Sequence, residues 1–296
     1  MSQLELLSHF YSVTWPSLGG ILLSEKATVE LLFKYAVSAP YLMHEVLAIS
    51  ALHLAVLRPE HVTYFRDYSV GLQTRAITLF NGAKTVVNQS TCVPMFLFST
   101  FLGIQVLCDT LNYYQEELNA FLDQFVTYLH LHRGVRAVIN QSWDALRNTE
   151  LKPIIESTPP RSVEDSGRVE CDDLKDLIDK SDLSESSVAV YHDTIKDLRW
   201  VFRIVGRPGA QFDNPQLVFA WPTVISAEYV SLLQQRRPEA LVILAYFAAL
   251  LHRHRQFWCF NDGGTFLVRS ISDYLGPYWN TALAWPLDVI NGTTRE

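Results

Sequence analysis

Apolar positions recur every three to four residues along most of the chain. Pro40–Leu57 carries Leu42, Val46, Ile49, His53, Leu54 and Leu57 near the 3.6-residue period, which predicts a helix. Its small residues Ala48, Ala51 and Ala55 predict close packing on a neighbour. Arg58-Pro59 stops it, because proline removes a backbone donor and restricts the residue before it. Pro59 then opens the next helix near its first position, running through Tyr64, Tyr68 and Leu72 towards Phe80. The same period predicts helices over 26–35, 94–111, 116–132, 187–203, 226–235, 238–257 and 264–275. No stretch alternates polar and apolar residues between turn dipeptides, so the expected fold is all-α, a single helical domain over residues 1–296.

One long polar interruption, 155–187, is expected as an acidic, solvated, mobile loop with a short helix around 174–178. Residues 156–185 hold ten acids and four bases, so most of the net charge of -7 sits there and the rest of the chain is almost neutral. With 49% hydrophobic and 19% charged residues the chain is not disordered. Direct nucleic-acid binding is not expected either, since phosphate contacts need clustered Lys and Arg. The cysteines Cys92, Cys108, Cys171 and Cys259 are too far apart for a zinc knuckle, and reduced thiols in a cytoplasmic or nuclear setting are expected. The opening residues MSQLELLSHF lack a secretory pattern. The apolar stretches 240–251 and 92–108 read as buried core helices rather than membrane spans, the first being too short and the second interrupted by polar residues.

No phosphate-binding loop, dinucleotide fingerprint, zinc-protease helix or nucleophile elbow is present, so no cofactor and no metal are expected. The pairs His130/His132 and His252/His254 are spaced i,i+2, which turns the rings about 200° apart on a helix. His44 and His53 are separated by about 900° of helical rotation and fall on opposite faces; His53 reads as a core histidine. His252 ends the most apolar segment, where a cation would favour the helix dipole. Asp109 closes another apolar run. Phe257-Trp258-Cys259-Phe260 followed by Asn261-Asp262-Gly263-Gly264 joins aromatic walls to a turn whose glycines permit positive φ and close backbone approach. Trp221-Pro222 and Trp285-Pro286 read as helix starts with packed indoles.

Several stretches together resemble a known family. LELLSHFYSVT near the start, SAPYLMHEVLAISALHLAVLRPE with the tyrosine helix after it, VFAWPTVISAEYVSLLQQRRPEALVILAYFAALLHRHRQFW, and YLGPYWNTALAWPLDVI are similar to the fungal-specific regulatory domain of zinc-cluster transcription factors of the sterol-uptake control type. The resemblance covers nearly the whole chain outside the acidic stretch. It implies an all-helical domain with a deep hydrophobic pocket for a sterol-like molecule, partly built by a glycine-rich C-terminal segment. The family pattern there is roughly W-W-x-G-G-W-G, whereas this chain has Trp258-Cys259-Phe260-Asn261-Asp262-Gly263-Gly264. Family members also carry an N-terminal cysteine-rich zinc cluster that binds DNA, and this sequence starts directly on the regulatory region.

Two functions fit that picture. The first is a cofactor-free cyclase or pericyclase of fungal secondary metabolism, Diels-Alderase-like, folding a terpenoid or polyketide into a reactive shape. The second is a ligand-sensing regulator or co-regulator. The enzyme is the leading expectation and the regulator the alternative; His44, Asp109, His252, Asn261 and Asp262 are the expected catalytic donors or acid/base groups. Trp15, Met43, Tyr246, Trp258, Phe260, Gly263 and Gly264 are the expected pocket walls. The expected partner is a hydrophobic small molecule, with a homodimer as an open option.

Overall fold

A computed structural model describes residues 2–18, 26–83, 88–152, 171–206 and 215–293, without the side chains of 26–28, 132–144 and 216. Among the described residues the regular structure is helical and contains no strand, so the fold is all-α. The elements are α1 (Gln3–His9), a π-turn (Phe10–Thr14), α2 (Trp15–Ser17), α3 (Lys26–Ser38), α4 (Pro40–Leu57), a 3₁₀ turn (Pro59–His61), α5 (Val62–Gly82), α6 (Cys92–Tyr113) and α7 (Leu118–Leu146). They continue with α8 (Asp172–Lys180), α9 (Glu185–Val205), a 3₁₀ turn (Pro215–Phe219), α10 (Ala220–Val224), α11 (Ala227–Gln234), α12 (Pro238–Arg253), α13 (Gly263–Leu275), a 3₁₀ turn (Pro277–Trp279) and α14 (Ala284–Asn291). Of the acidic stretch, residues 155–170 lie outside the described residues; α8 is the short helix expected in its second half.

The chain divides into two compact units, one formed by Met1–Leu107 with Leu131–Thr158, the other by Cys108–His130 with Pro159–Glu296. The first is organised around α4. This helix is apolar on every side, and all but a few of its residues are buried. Pro40 starts it at the first helical position, where a missing N–H costs nothing. It packs against α5, whose buried positions Phe65, Ser69, Leu72 and Ala76 follow one helical stripe. Polar groups inside this core are tied to backbone: Ser50 Oγ donates to Leu6 O at 2.8 Å, and Ser69 Oγ donates to Ala48 O at 2.7 Å. Gln105 Nε2 in turn donates to Ser69 Oγ at 2.9 Å. Pro59 begins a 3₁₀ turn rather than α5 itself; His61 at φ -122° breaks the path before α5 starts at Val62.

The second unit is organised around α12, in which every residue of the run 240–251 is buried. Each buried Val, Leu, Ile or Phe of this run contributes roughly 1.5–3 kcal/mol by leaving water, and each alanine less. Trp221 stacks on Phe247 with ring centroids 4.4 Å apart, and Trp285 stacks on Tyr246 at 5.0 Å. Both tryptophans belong to short proline-containing helices, α10 and α14, as their sequence context suggests. Tyr229 Oη donates to Ala240 O at 3.0 Å, and Ser226 caps α11 by accepting from Tyr229 N at 3.1 Å.

Two described helices, Pro40–Leu57 and Cys92–Tyr113, are long and apolar enough to cross a membrane by length and composition, with mean hydropathy 1.4 and 1.6. In the structure 72% and 78% of those windows are buried against protein.

Candidate functional site

The candidate site lies at the turn between α12 and α13. α12 ends at Arg253, four residues earlier than the apolar pattern suggests, and the chain makes successive turns through residues 254–262. Asn261 adopts φ +38°, in the left-handed region. Asparagine tolerates this region better than most residues. The glycines that follow are helical, and their role is close approach. A Cβ on Gly264 would lie 2.5 Å from His252 N and even nearer to Ala248 O, both backbone atoms of α12. A Cβ on Gly263 would lie 2.9 Å from Leu111 O. The start of α13 is therefore pressed directly on α12 and on the end of α6.

Beside this turn lies a cavity of about 440 Å³ lined by Asn112, Gln115, Arg255, Gln256, Asn261 and Asp262. Its lining side chains are all polar. Asn112 is the central clamp: its Nδ2 donates to Cys108 O at 2.7 Å and to Cys259 O at 3.0 Å, while its Oδ1 accepts from Asn261 Nδ2. Gln115 Nε2 donates to Leu111 O, one turn back. Cys108 and Cys259 are joined by a disulfide, with Cα atoms 4.6 Å apart and 151 residues between them in sequence. Reduced thiols were the sequence expectation; spacing along the chain is silent on a contact made across two elements so distant in sequence.

His252 sits behind the cavity wall. Arg255 Nη1 lies 2.8 Å from His252 Nε2, and Thr265 Oγ1 lies 2.8 Å from His252 Nδ1. A guanidinium can only donate, so Nε2 accepts and the proton sits on Nδ1, directed at Thr265. Burial, then the charge of Arg255, hold this imidazole below its ordinary pKa, with Asp262 pulling the other way. His252 is thus a neutral orienter of Arg255 rather than the cation expected at a helix C-terminus. Arg255, Gln256 and Asp262 are exposed, so a solute reaches the cavity without prior opening.

The structure brings together Asn261 and Asp262 on the cavity wall, with His252 one hydrogen bond away and Gly263 and Gly264 fixing the turn. Asp109 lies in the same unit, half-buried on α6 next to Cys108. The expected aromatic walls go elsewhere. Tyr246 is buried against Trp285, Phe260 packs on Phe219 and Phe257, and Trp258 packs beside Phe257. His44, Met43 and Trp15 belong to the other unit. His44 is half-buried, and its Nδ1–H donates to Pro40 O at 2.8 Å; Trp15 packs on Phe10 and Phe101. His53, on the opposite face of α4, is buried and its Nδ1 lies 3.0 Å from Thr14 Oγ1.

Sequence reasoning missed Asn112, Gln115, Arg255 and Gln256. A signal existed for Arg255, three residues after His252 in sequence, and for Asn112, one turn after Cys108 on α6. It also missed Glu45, fully buried in α4 with neither carboxylate oxygen hydrogen-bonded. Burial drives its pKa well above the ordinary carboxyl value. A lone acid between Tyr41 and Ile49 in an apolar run was the visible sign.

No protein-family model matches the chain. It is similar to a Zn(2)-C6 fungal-type transcription factor of Gibberella zeae, 25% identical over 98% of this chain and 62% of that protein. The chain thus spans less than two thirds of the length of the curated relative it matches. The similarity links it to fungal transcription factors.

Proposed function

We propose that this chain is a ligand-responsive regulatory module of fungal transcription control, acting in the nucleus. The observation that carries the reading is the similarity to a fungal transcription factor along 98% of the chain. The cavity beside Asn261 is the seat proposed for the effector. Arg255, oriented from behind by neutral His252, offers the free edge of its guanidinium to a carboxylate or other planar anion. Gln256 adds a donor, and the oxygens of Gln115, Asn261 and Asp262 add acceptors for hydroxyl or amino groups. The lining favours a small polar metabolite at this seat. The cyclase reading draws on the same residues and gains no support from the relative, whose description is that of a transcription factor.

The test joins the full chain to a heterologous DNA-binding domain and measures a reporter in a fungal host. The expected result is reporter output changed several-fold relative to the DNA-binding domain alone, with Arg255→Ala altering the response to growth conditions. Output equal to the DNA-binding domain alone in every condition overturns the regulatory reading.

A further inference from the structure

We propose that Cys108 and Cys259 form a thiol–disulfide switch that sets the shape of the cavity beside Asn261. The proposal deepens the regulatory reading, on which it rests for its reducing nuclear setting. In such a compartment a disulfide is rarely a permanent staple; where one forms it is transient or redox-sensing. The pairing is well placed for that role. Cys108 lies on α6 and Cys259 in the turn leading to α13, and both are fully buried. Their Cα separation of 4.6 Å lies near the short end of the range a disulfide spans.

The geometry couples the bond to the cavity through one side chain. Asn112 holds the carbonyls of both bonded cysteines with a single amide nitrogen, and its oxygen accepts from Asn261. Asn112 and Asn261 are themselves cavity wall. Breaking the bond moves the two sulfurs from bonding distance to van der Waals contact. Cys108 sits in a long helix and cannot give way, so the displacement falls on Cys259 and its turn. The Asn112 clamp then spans a wider gap, and Asn261, held at φ +38°, loses the partner that keeps it there. The oxidised form keeps the cavity wall assembled, and the reduced form releases it.

The chemistry balances with glutathione disulfide as oxidant. One cysteine thiolate attacks a sulfur of glutathione disulfide and expels a glutathione thiolate, forming a mixed disulfide. The second cysteine thiolate attacks the protein sulfur of that mixed disulfide and expels the second glutathione thiolate. Two protein thiols are oxidised, one glutathione disulfide is reduced, and the two thiol protons end on two glutathione molecules. Because both sulfurs are buried, exchange proceeds through local opening of the 254–262 turn, whose residues Arg255, Gln256 and Asp262 already face solvent.

The test equilibrates the purified full chain in glutathione buffers from fully reduced to fully oxidised. It then reads each cysteine by differential alkylation and mass spectrometry, and amide hydrogen exchange in parallel. Cys108 and Cys259 are expected to lose alkylation together as one two-electron transition, with Cys92 alkylated throughout after denaturation. Exchange in 254–265 is expected to slow on oxidation by on the order of tenfold, while α4 stays unchanged. Cys108→Ser and Cys259→Ser are each expected to hold the fast exchange at every glutathione ratio. The switch is overturned if the pair does not oxidise at any ratio, or if it oxidises with exchange in 254–265 unaltered. Neither readout involves transcription, so an inert reporter fusion counts against the regulatory reading and leaves the switch standing.

Discussion

The carboxamide of Asn261 donates to that of Asn112 across 149 residues of sequence, and the same Asn112 holds the carbonyls of Cys108 and Cys259. One side chain thereby ties the end of α6 to the turn that carries the candidate site. Asn261 supplies two things at once, a left-handed backbone and an amide donor. The two can be separated: Asn261→Ala loses both, whereas Asn261→Gly keeps the backbone conformation. The alanine variant is expected to be less stable than the glycine variant by about 1 kcal/mol in urea unfolding. Equal stabilities would show that the φ of +38° costs nothing.

Gly264 and Gly71 are expected to respond to alanine with opposite signs. At Gly264 the new Cβ meets α12 backbone that cannot move aside, so Gly264→Ala should destabilise by about 1–3 kcal/mol. At Gly71, exposed in the middle of α5 with nothing within 4 Å of the position, Gly71→Ala should stabilise by about 0.5–1 kcal/mol. Thermal or urea unfolding of the two variants beside the parent decides it.

Glu45 makes stability fall as pH rises. Its folded-state pKa is raised by burial, so above the ordinary carboxyl value of 4.5 the unfolded chain releases this proton while the folded chain retains it. The penalty grows from pH 4.5 upward until the folded group also ionises. Glu45→Gln or Glu45→Met should therefore stabilise by about 1–3 kcal/mol at pH 7 and by less at pH 4.5. A stabilisation independent of pH would mean that packing, not ionisation, accounts for the gain.

His53 acts in the other direction. Burial first, and the nearby His9 second, lower its pKa from 6.5 to about 4. Between those values the unfolded chain binds a proton that the folded chain refuses, so stability is lost as pH falls from 6.5 towards 4. The slope this group contributes approaches about 1.4 kcal/mol per pH unit in the middle of the window. His53→Gln should flatten the acid limb of the stability curve, read from urea midpoints at pH 4 to 7. An unchanged limb would assign acid sensitivity to other groups.

Helix positions were largely legible in the sequence because helical periodicity is a local property. Pro40–Leu57 matches its predicted bounds, since a proline opens it and Arg58-Pro59 closes it. The opposed environments of His44 and His53 also follow from rotation about one helix axis. Less legible were α1 and the extent of α10 and α14, whose starts the Trp-Pro pairs marked. Segments of this length are marginal alone, and α10 and α14 hold their form by packing Trp221 and Trp285 on α12. The end of α12 differs from the sequence reading for a related reason: nothing in the polar stretch from His252 to Gln256 stops a helix, and the chain turns there as Phe257, Trp258 and Phe260 pack their rings back into the core.

By itself the sequence determined an all-helical chain, the apolar helices at its centres and the turn at Asn261-Asp262-Gly263-Gly264 as a place of interest, because these depend on neighbours a few residues apart. Only the tertiary structure decided that Cys108 meets Cys259, that Asn112 faces Asn261, that Gly264 touches the backbone of α12, and that Glu45 has no hydrogen-bond partner. It also placed polar groups, not the expected aromatics, around the cavity beside that turn. Each of these is a contact between elements far apart in sequence, set by which helix faces pack together, and periodicity along one helix does not specify the partner on the other side.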